Sequence, residues 1–312
     1  MGKISPLFGG AKLVCVITSD NHIDVKHPVP KVPMWFLTQS LKDSAKAAVP
    51  VDAYITVGDT TSRGSIENWE LVRKCFRGVR PAENIFLTVG NHDLWHDGGF
   101  DAALNNYLLY SNKICGTNHD KTWFSHTVNG YKLIFLGNTE DAGCEAHLGE
   151  AQLAWLDAEL TETGGKPAFV FCHQSLNGRH GLPVTWDRSG TCTDPMEGGV
   201  GTESDELAEI LKKYPKVFYF SGHSHMGLGG EKRMAEDGYS SFEKEGSLTL
   251  INLPSLACGN HHGDDRSMGI GLVLEVYDDR VLIRPRNFAT HTMNSRVLIK
   301  DGKPYWEELL DA

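Results

Sequence analysis

Short apolar runs along this chain end repeatedly in a small polar cluster. The β-branched run Leu13–Thr18 stops at Ser19-Asp20-Asn21-His22, Ala53–Val57 stops at Gly58-Asp59, and residues 84–89 stop at Gly90-Asn91-His92-Asp93. Between these runs, apolar positions recur at helical spacing. Phe36, Leu37, Leu41, Ala45 and Ala48 mark residues 35–48, which Pro50 terminates, and Ile66–Phe76 follows the same pattern. Runs of this length predict buried strands, and the spaced stretches predict helices. Their alternation predicts a largely parallel sheet.

The second half repeats the scheme. Residues 132–136 read as a strand, residues 149–160 as an amphipathic helix carrying Leu153, Trp155, Leu156 and Leu160, and Ala168–Phe171 as a strand ending at Cys172-His173. Thr202-Glu203-Ser204-Asp205 opens another helix, with Thr202 or Ser204 as its cap, and residues 217–220 lead into Gly222-His223-Ser224-His225. Residues 247–253, 269–277 and 281–286 read as strands, the last two joined by a hairpin through Asp278-Asp279. Glu243-Lys244-Glu245 reads as a solvated turn. His261-His262-Gly263-Asp264-Asp265 reads as a loop, because neighbouring residues in an extended segment point to opposite sides. No low-complexity linker separates Asp20 from His225, so residues 1–312 are expected to form one domain, with 265–312 as a β-rich extension of it.

In open α/β sheets the carboxyl ends of the strands border a common crevice, so these polar clusters can converge. Together they bring two carboxylates, a carboxamide and four imidazoles. Such hard-to-borderline donors suit a pair of metal ions, and paired metals commonly promote attack on phosphate esters. Manganese, iron, zinc and cobalt all suit these donors as two divalent or trivalent ions.

Composition narrows the partners. A formal net charge of −10 argues against a broad basic track for nucleic acid, although bound cations would make one pocket locally positive. The seven cysteines are odd in number and scattered at positions 15, 75, 115, 144, 172, 192 and 258, which suits a reducing compartment. Cys15 and Cys172 read as small strand fillers. Residues 1–12 hold no apolar signal core, and the run that follows is too short to span a membrane, so a cytoplasmic protein is expected.

The ordered set Asp20-x-His22, Gly58-Asp59, Gly90-Asn91-His92-Asp93, His173 and Gly222-His223-x-His225 resembles the calcineurin-like metallophosphoesterase superfamily. Ile251-Asn252-Leu253-Pro254-Ser255 is similar to its bacterial phosphodiesterase-type members. The resemblance implies a four-layer α-β-β-α sandwich with two mixed β-sheets and flanking helices. It also implies that Asp20, His22, Asp59 and His225 hold one metal, that Asp59, Asn91, His173 and His223 hold a second, and that Asp59 bridges them. A metal-bridging hydroxide would attack phosphorus in line, with His92 as the acid that assists the leaving oxygen. Asp93 is a candidate to orient His92, Arg63 to grip a phosphate oxygen, and His96, next to Trp95, to rim the pocket. The long 176–201 loop is a candidate substrate-selecting lid.

The expected activity is hydrolysis of a small-molecule phosphate ester, a phosphodiester first. A phosphomonoesterase or nuclease would share the chemistry. The alternative from another class is a metal-containing binding or scaffold protein with a vestigial centre. Its mark would be lost ligands, and none of the seven is missing.

Overall fold

The computed structural model describes residues 2–29, 31–186 and 197–310. In chain order the elements are β1 (Leu13–Thr18), α1 (Lys31–Ala45), β2 (Ala53–Val57), α2 (Ile66–Phe76), β3 (Asn84–Thr88), α3 (Phe100–Cys115), β4 (Phe124–Val128) and β5 (Tyr131–Phe135). There follow α4 (Glu150–Thr161), β6 (Ala168–Phe171), α5 (Ser204–Lys212), β7 (Val217–Ser221), α6 (Glu231–Asp237), β8 (Phe242–Glu245) and β9 (Leu248–Asn252). The last strands are β10 (Ile270–Val276), β11 (Arg280–Asn287), β12 (Thr292–Met293) and β13 (Trp306–Leu309).

Two mixed sheets result. One has the order β12-β11-β10-β1-β2-β3 with β13 also on β11, and the other the order β4-β5-β6-β7-β9-β8. Within them β1, β2 and β3 run parallel, as do β5, β6, β7 and β9. The period-two alternation of β1 sorts its side chains between two cores. Leu13, Cys15 and Ile17 face the seam between the sheets, whereas Val14 and Val16 pack with Leu37 and Leu41 of α1, Trp69 of α2 and Tyr107 of α3. On the far side, Ile134, Val170 and Tyr219 pack against Leu153 and Leu156 of α4 and Leu207 of α5. These contacts give the expected α-β-β-α layering.

The seam is aromatic. Phe135, Phe171 and Phe220 stand in register on β5, β6 and β7 and stack at centroid distances of 5.0 and 5.1 Å. Burying a phenylalanine contributes about 1.5–3 kcal/mol, against roughly 0–1 kcal/mol for an exposed ion pair. The seam therefore outweighs surface charge in holding the sheets together.

Several sequence expectations need correction. The first helix covers Lys31–Ala45 rather than residues 35–48. Pro33 is tolerated in its first turn, where backbone N–H groups have no helical partner, and the Ala48 N–H donates instead to the Ile4 carbonyl at 2.7 Å. Glu243-Lys244-Glu245 is not a turn but lies in β8, a charged edge strand paired antiparallel to β9. Neither Thr202 nor Ser204 caps α5, because a 3-10 turn over Gly201–Glu203 precedes it. The Ser204 hydroxyl instead accepts the Asn177 N–H at 2.8 Å, and the Glu203 carboxylate accepts the Leu148 and Gly149 N–H groups at 2.7 and 2.8 Å. The 261–265 segment is a loop, as expected. No described helix is long and apolar enough to cross a membrane.

Arg286 is a fully buried charge on β11. Its guanidinium grips Asp43 of α1 at 2.8 and 3.0 Å and donates to the Gly2 carbonyl at 2.7 Å. Removing one partner strands a buried charge, so Arg286→Met is expected to cost about 3–5 kcal/mol, with most of it recovered in Arg286→Met/Asp43→Leu. Urea unfolding of the two variants checks this.

Candidate metal centre

The donors sit on loops at the carboxyl ends of parallel strands in both sheets. The first sheet delivers Asp20 and His22 after β1, Asp59 after β2, and Asn91 and His92 after β3. The second delivers His173 after β6, and His223 and His225 after β7. Five of these residues hold left-handed backbone: Asp20 (φ 56°), His22 (47°), Asp59 (47°), His223 (69°) and His225 (50°). Each such conformation costs a non-glycine residue about 1–2 kcal/mol. Its concentration in one cluster marks a place shaped for chemistry rather than for stability.

Three motif glycines are required by close approach, the first being Gly58, where a Cβ would lie 2.3 Å from His173 Nδ1. A Cβ on Gly90 would lie 2.2 Å from Asp59 Oδ1, and one on Gly222 would lie 2.5 Å from Asp20 Oδ2 and 2.0 Å from Ser19 Oγ.

The donor atoms form two groups that share a carboxylate. Those of Asp20, His22, Asp59 and His225 all lie within 4.8 Å of one another, as do those of Asp59, His173 and His223. In the first group His22 Nε2 is 3.0 Å from His225 Nε2 and 3.4 Å from Asp59 Oδ2, and His225 Nε2 is 3.1 Å from Asp20 Oδ1. In the second, His173 Nε2 is 3.1 Å from Asp59 Oδ2 and 3.2 Å from His223 Nδ1.

The residues present fit a pair of cations. Imidazole nitrogens face one another where lone pairs on a common ion would converge. Both carboxamide atoms of Asn91 are buried with no hydrogen-bond partner, at a desolvation cost of about 1–3 kcal/mol each. His173 Nδ1 lies 2.8 Å from the Val57 carbonyl, an acceptor only, so Nδ1 carries the proton and Nε2 is left as the donor atom for a cation.

Burial alone would raise Asp20 and Asp59, but the surrounding imidazoles outweigh it and hold both carboxyls below their ordinary range. Burial would lower His173 and His225, yet the two carboxylates raise them to about 9 and about 10. His223 goes the other way, pushed well down by burial and by neighbouring His173.

His92 stands apart from the donor groups. Its backbone N–H donates to Asp59 Oδ1 at 2.9 Å, and its ring Nδ1 lies 3.0 Å from the Ser62 carbonyl. The ring sits 4.6 Å from that of His22 and 4.0 Å from Trp95, and burial lowers its pKa. Asp93 does not orient this ring, contrary to expectation. Its carboxylate accepts N–H bonds from Gly90, Thr60 and Thr61 at 3.0, 3.2 and 2.8 Å, so it sets the shape of the loops after β2 and β3. Burial, together with the charge of Asp59, raises it to about 6. Arg63 is exposed, 3.4 Å from Asp97, and His96 Nδ1 accepts the Gly98 N–H at 2.8 Å on the surface. Neither meets the donor cluster through a described contact.

Two neighbours of the cluster had no sequence signal. Trp186, in the 176–201 loop, stacks on His223 with ring centroids 4.4 Å apart. Residues 187–196 of that loop, including Cys192, lie outside the described residues. Cys258 Sγ lies within 4.8 Å of the donor nitrogens of His22 and His225.

The calcineurin-like phosphoesterase family model matches residues 13–227, a span that holds every donor. The chain belongs to that family. Glycerophosphodiester phosphodiesterase GpdQ of Enterobacter lignolyticus (strain SCF1) is 25% identical over 178 residues, covering 56% of this chain and 56% of that protein. The fold is similar to that of purple acid phosphatase PPD1 from yellow lupin (Lupinus luteus) seeds, with a TM-score of 0.61 and 12% identity over 95% of this chain and 53% of that one. The chain thus spans about half the length of these relatives.

Because Gly222 lies against Asp20, Gly222→Ala is expected to lower bound metal per folded chain while leaving the circular dichroism spectrum unchanged. Metal analysis of the purified variant, compared with Gly9→Ala, whose added Cβ meets nothing within 4 Å, checks this.

Proposed function

We propose that this phosphoesterase-family chain is a dinuclear metal-dependent phosphohydrolase acting first on phosphodiesters of small molecules. The observation that carries the reading is the sharing of Asp59 between two donor groups, with the unpartnered amide of Asn91 available to the second. Asp20, His22, Asp59 and His225 would hold one ion, and Asp59, Asn91, His173 and His223 the other. A bound pair of cations would supply Lewis-acid polarisation of the phosphoryl oxygens and an activated water. Their identity among manganese, iron, zinc and cobalt is set by donor chemistry and supply. Because the donors come from both sheets, we read the chain as one catalytic unit.

The chain's own residues do the rest. The Ser62 carbonyl accepts from His92 Nδ1–H, which leaves Nε2 as the nitrogen that exchanges a proton with the leaving oxygen. The Asp59 carboxylate, by accepting the His92 N–H, couples the placement of that acid to the bridging ligand. Asp93 holds the two loops in register. Diester preference is supported by the likeness to GpdQ, whose name is that of a glycerophosphodiester phosphodiesterase. Monoesters are the second reading. A nuclease is disfavoured by the net charge of −10. A cytoplasmic setting is supported by six free thiols among the described residues.

Chelator-stripped protein refilled with each metal, assayed on bis-p-nitrophenyl phosphate and p-nitrophenyl phosphate, tests the proposal. Metal-dependent turnover of the diester above the monoester is expected, and no turnover with two ions bound would overturn it. His92→Ala is expected to keep its metal and lose about 10²–10⁴-fold in kcat, the usual worth of a general acid. Asp59→Asn is expected to lose metal and turnover together. Metal analysis with steady-state kinetics on both variants separates the two roles.

A further inference from the structure

The loop after β9 is tied to the metal centre at both ends, yet the phosphohydrolase reading assigns it no role. The Leu256 N–H donates to the Ser19 carbonyl at 2.9 Å, and the Ser255 hydroxyl donates to the Asp20 carbonyl at 3.0 Å. Farther along, the His261 N–H donates to the His225 carbonyl at 2.8 Å. The loop is therefore anchored on the same two backbone segments that present Asp20 and His225.

Between these anchors stands Cys258, its N–H held by the Ser255 hydroxyl at 2.9 Å. Its Sγ and the donor nitrogens of His22 and His225 all lie within 4.8 Å of one another. With bonds of about 2.3 Å to sulfur and about 2.0 Å to nitrogen, a thiolate and an imidazole on one tetrahedral zinc ion sit roughly 3.5 Å apart. That separation falls inside the 4.8 Å limit within which the three donor atoms lie. The other described cysteines differ in setting: Cys15, Cys75 and Cys172 are buried, Cys115 and Cys144 are half-buried, and Cys258 alone is exposed. A thiol kept for packing belongs with the buried ones. Here it faces two imidazoles that already converge with two buried carboxylates.

We infer that Cys258 supplies a thiolate to the ion held by Asp20, His22, Asp59 and His225. This inference rests on the metal reading proposed above and deepens it. One soft donor in an otherwise oxygen and nitrogen set biases that position toward zinc, cobalt or ferrous iron over manganese. On binding, the Cys258 S–H bond is replaced by a sulfur–metal bond and the proton leaves to solvent. Sites with only Asp, His and Asn donors carry no such bias, and the two metal positions become chemically unequal.

Cobalt(II) reports the donor directly. Stripped wild-type protein and Cys258→Ser, both loaded with cobalt(II), are compared by absorption spectroscopy. Visible ligand-field bands are expected in both, with a near-ultraviolet sulfur-to-cobalt charge-transfer band in wild type that is lost in Cys258→Ser. Ligand-field bands without the charge-transfer band in wild type, or a charge-transfer band that survives in Cys258→Ser, would overturn the thiolate while leaving the metal centre standing. Absence of ligand-field bands from wild type would overturn both. Should Cys258→Ser fail to fold, iodoacetamide labelling of wild type with peptide mapping decides the matter. Metal loading is expected to protect Cys258 several-fold while labelling of Cys115 is unchanged, and equal labelling of Cys258 with and without metal overturns the inference.

Discussion

Seven donor residues can meet only if the carboxyl edges of two different sheets are held against each other, and the aromatic seam does this. Asp20, His22, Asp59 and Asn91 leave one sheet, His173, His223 and His225 leave the other, and beneath them Phe135, Phe171 and Phe220 of the second sheet share one core with Ile17, Ile55, Val57 and Phe86 of the first, Phe86 meeting Phe135 at a centroid distance of 5.0 Å. Parallel strands matter as much as the seam, since they send every carboxyl end to the same side. Once the edges are aligned, Asp59 reaches imidazoles from both sheets, His22 at 3.4 Å and His173 at 3.1 Å. The left-handed backbone at five donors and the buried, unpartnered amide of Asn91 are costs that the seam and the two helical layers must offset.

Much of this was legible because the governing signals are local. The central strands are β-branched or aromatic runs bounded by glycine and aspartate, and each donor lies within a few residues of such a run. α3 carries a weak sequence signal, because Gly98-Gly99 opens it without a side-chain cap and polar Asn105 and Asn106 stand among its buried Ala103, Tyr107 and Tyr110. β8 was misread because its Glu-Lys-Glu sequence suits both a turn and an edge strand, and pairing with β9 decides between them. The first turn of α1 carries little sequence signal, because Pro33 suits a loop as well as the first turn of a helix.

What holds the donors in place was not legible, because it is done by backbone and by distant side chains. The Val57 and Ser62 carbonyls that set the faces of His173 and His92 carry no sequence signature. Asp93 sits beside His92 in the chain, but its buried carboxylate finds three backbone N–H groups and leaves that ring to Ser62. Trp186 and Cys258 reach the cluster from loops 37 residues before His223 and 33 after His225 by sequence number. Only the folded chain brings those four residues together.

The central claim is that two ions share Asp59, and electron paramagnetic resonance of the manganese-loaded protein tests it most directly. Two manganese(II) ions bridged by one carboxylate are expected to give an exchange-coupled spectrum at two equivalents of metal. Two independent mononuclear six-line signals at full loading would contradict the shared carboxylate on which the proposed function stands.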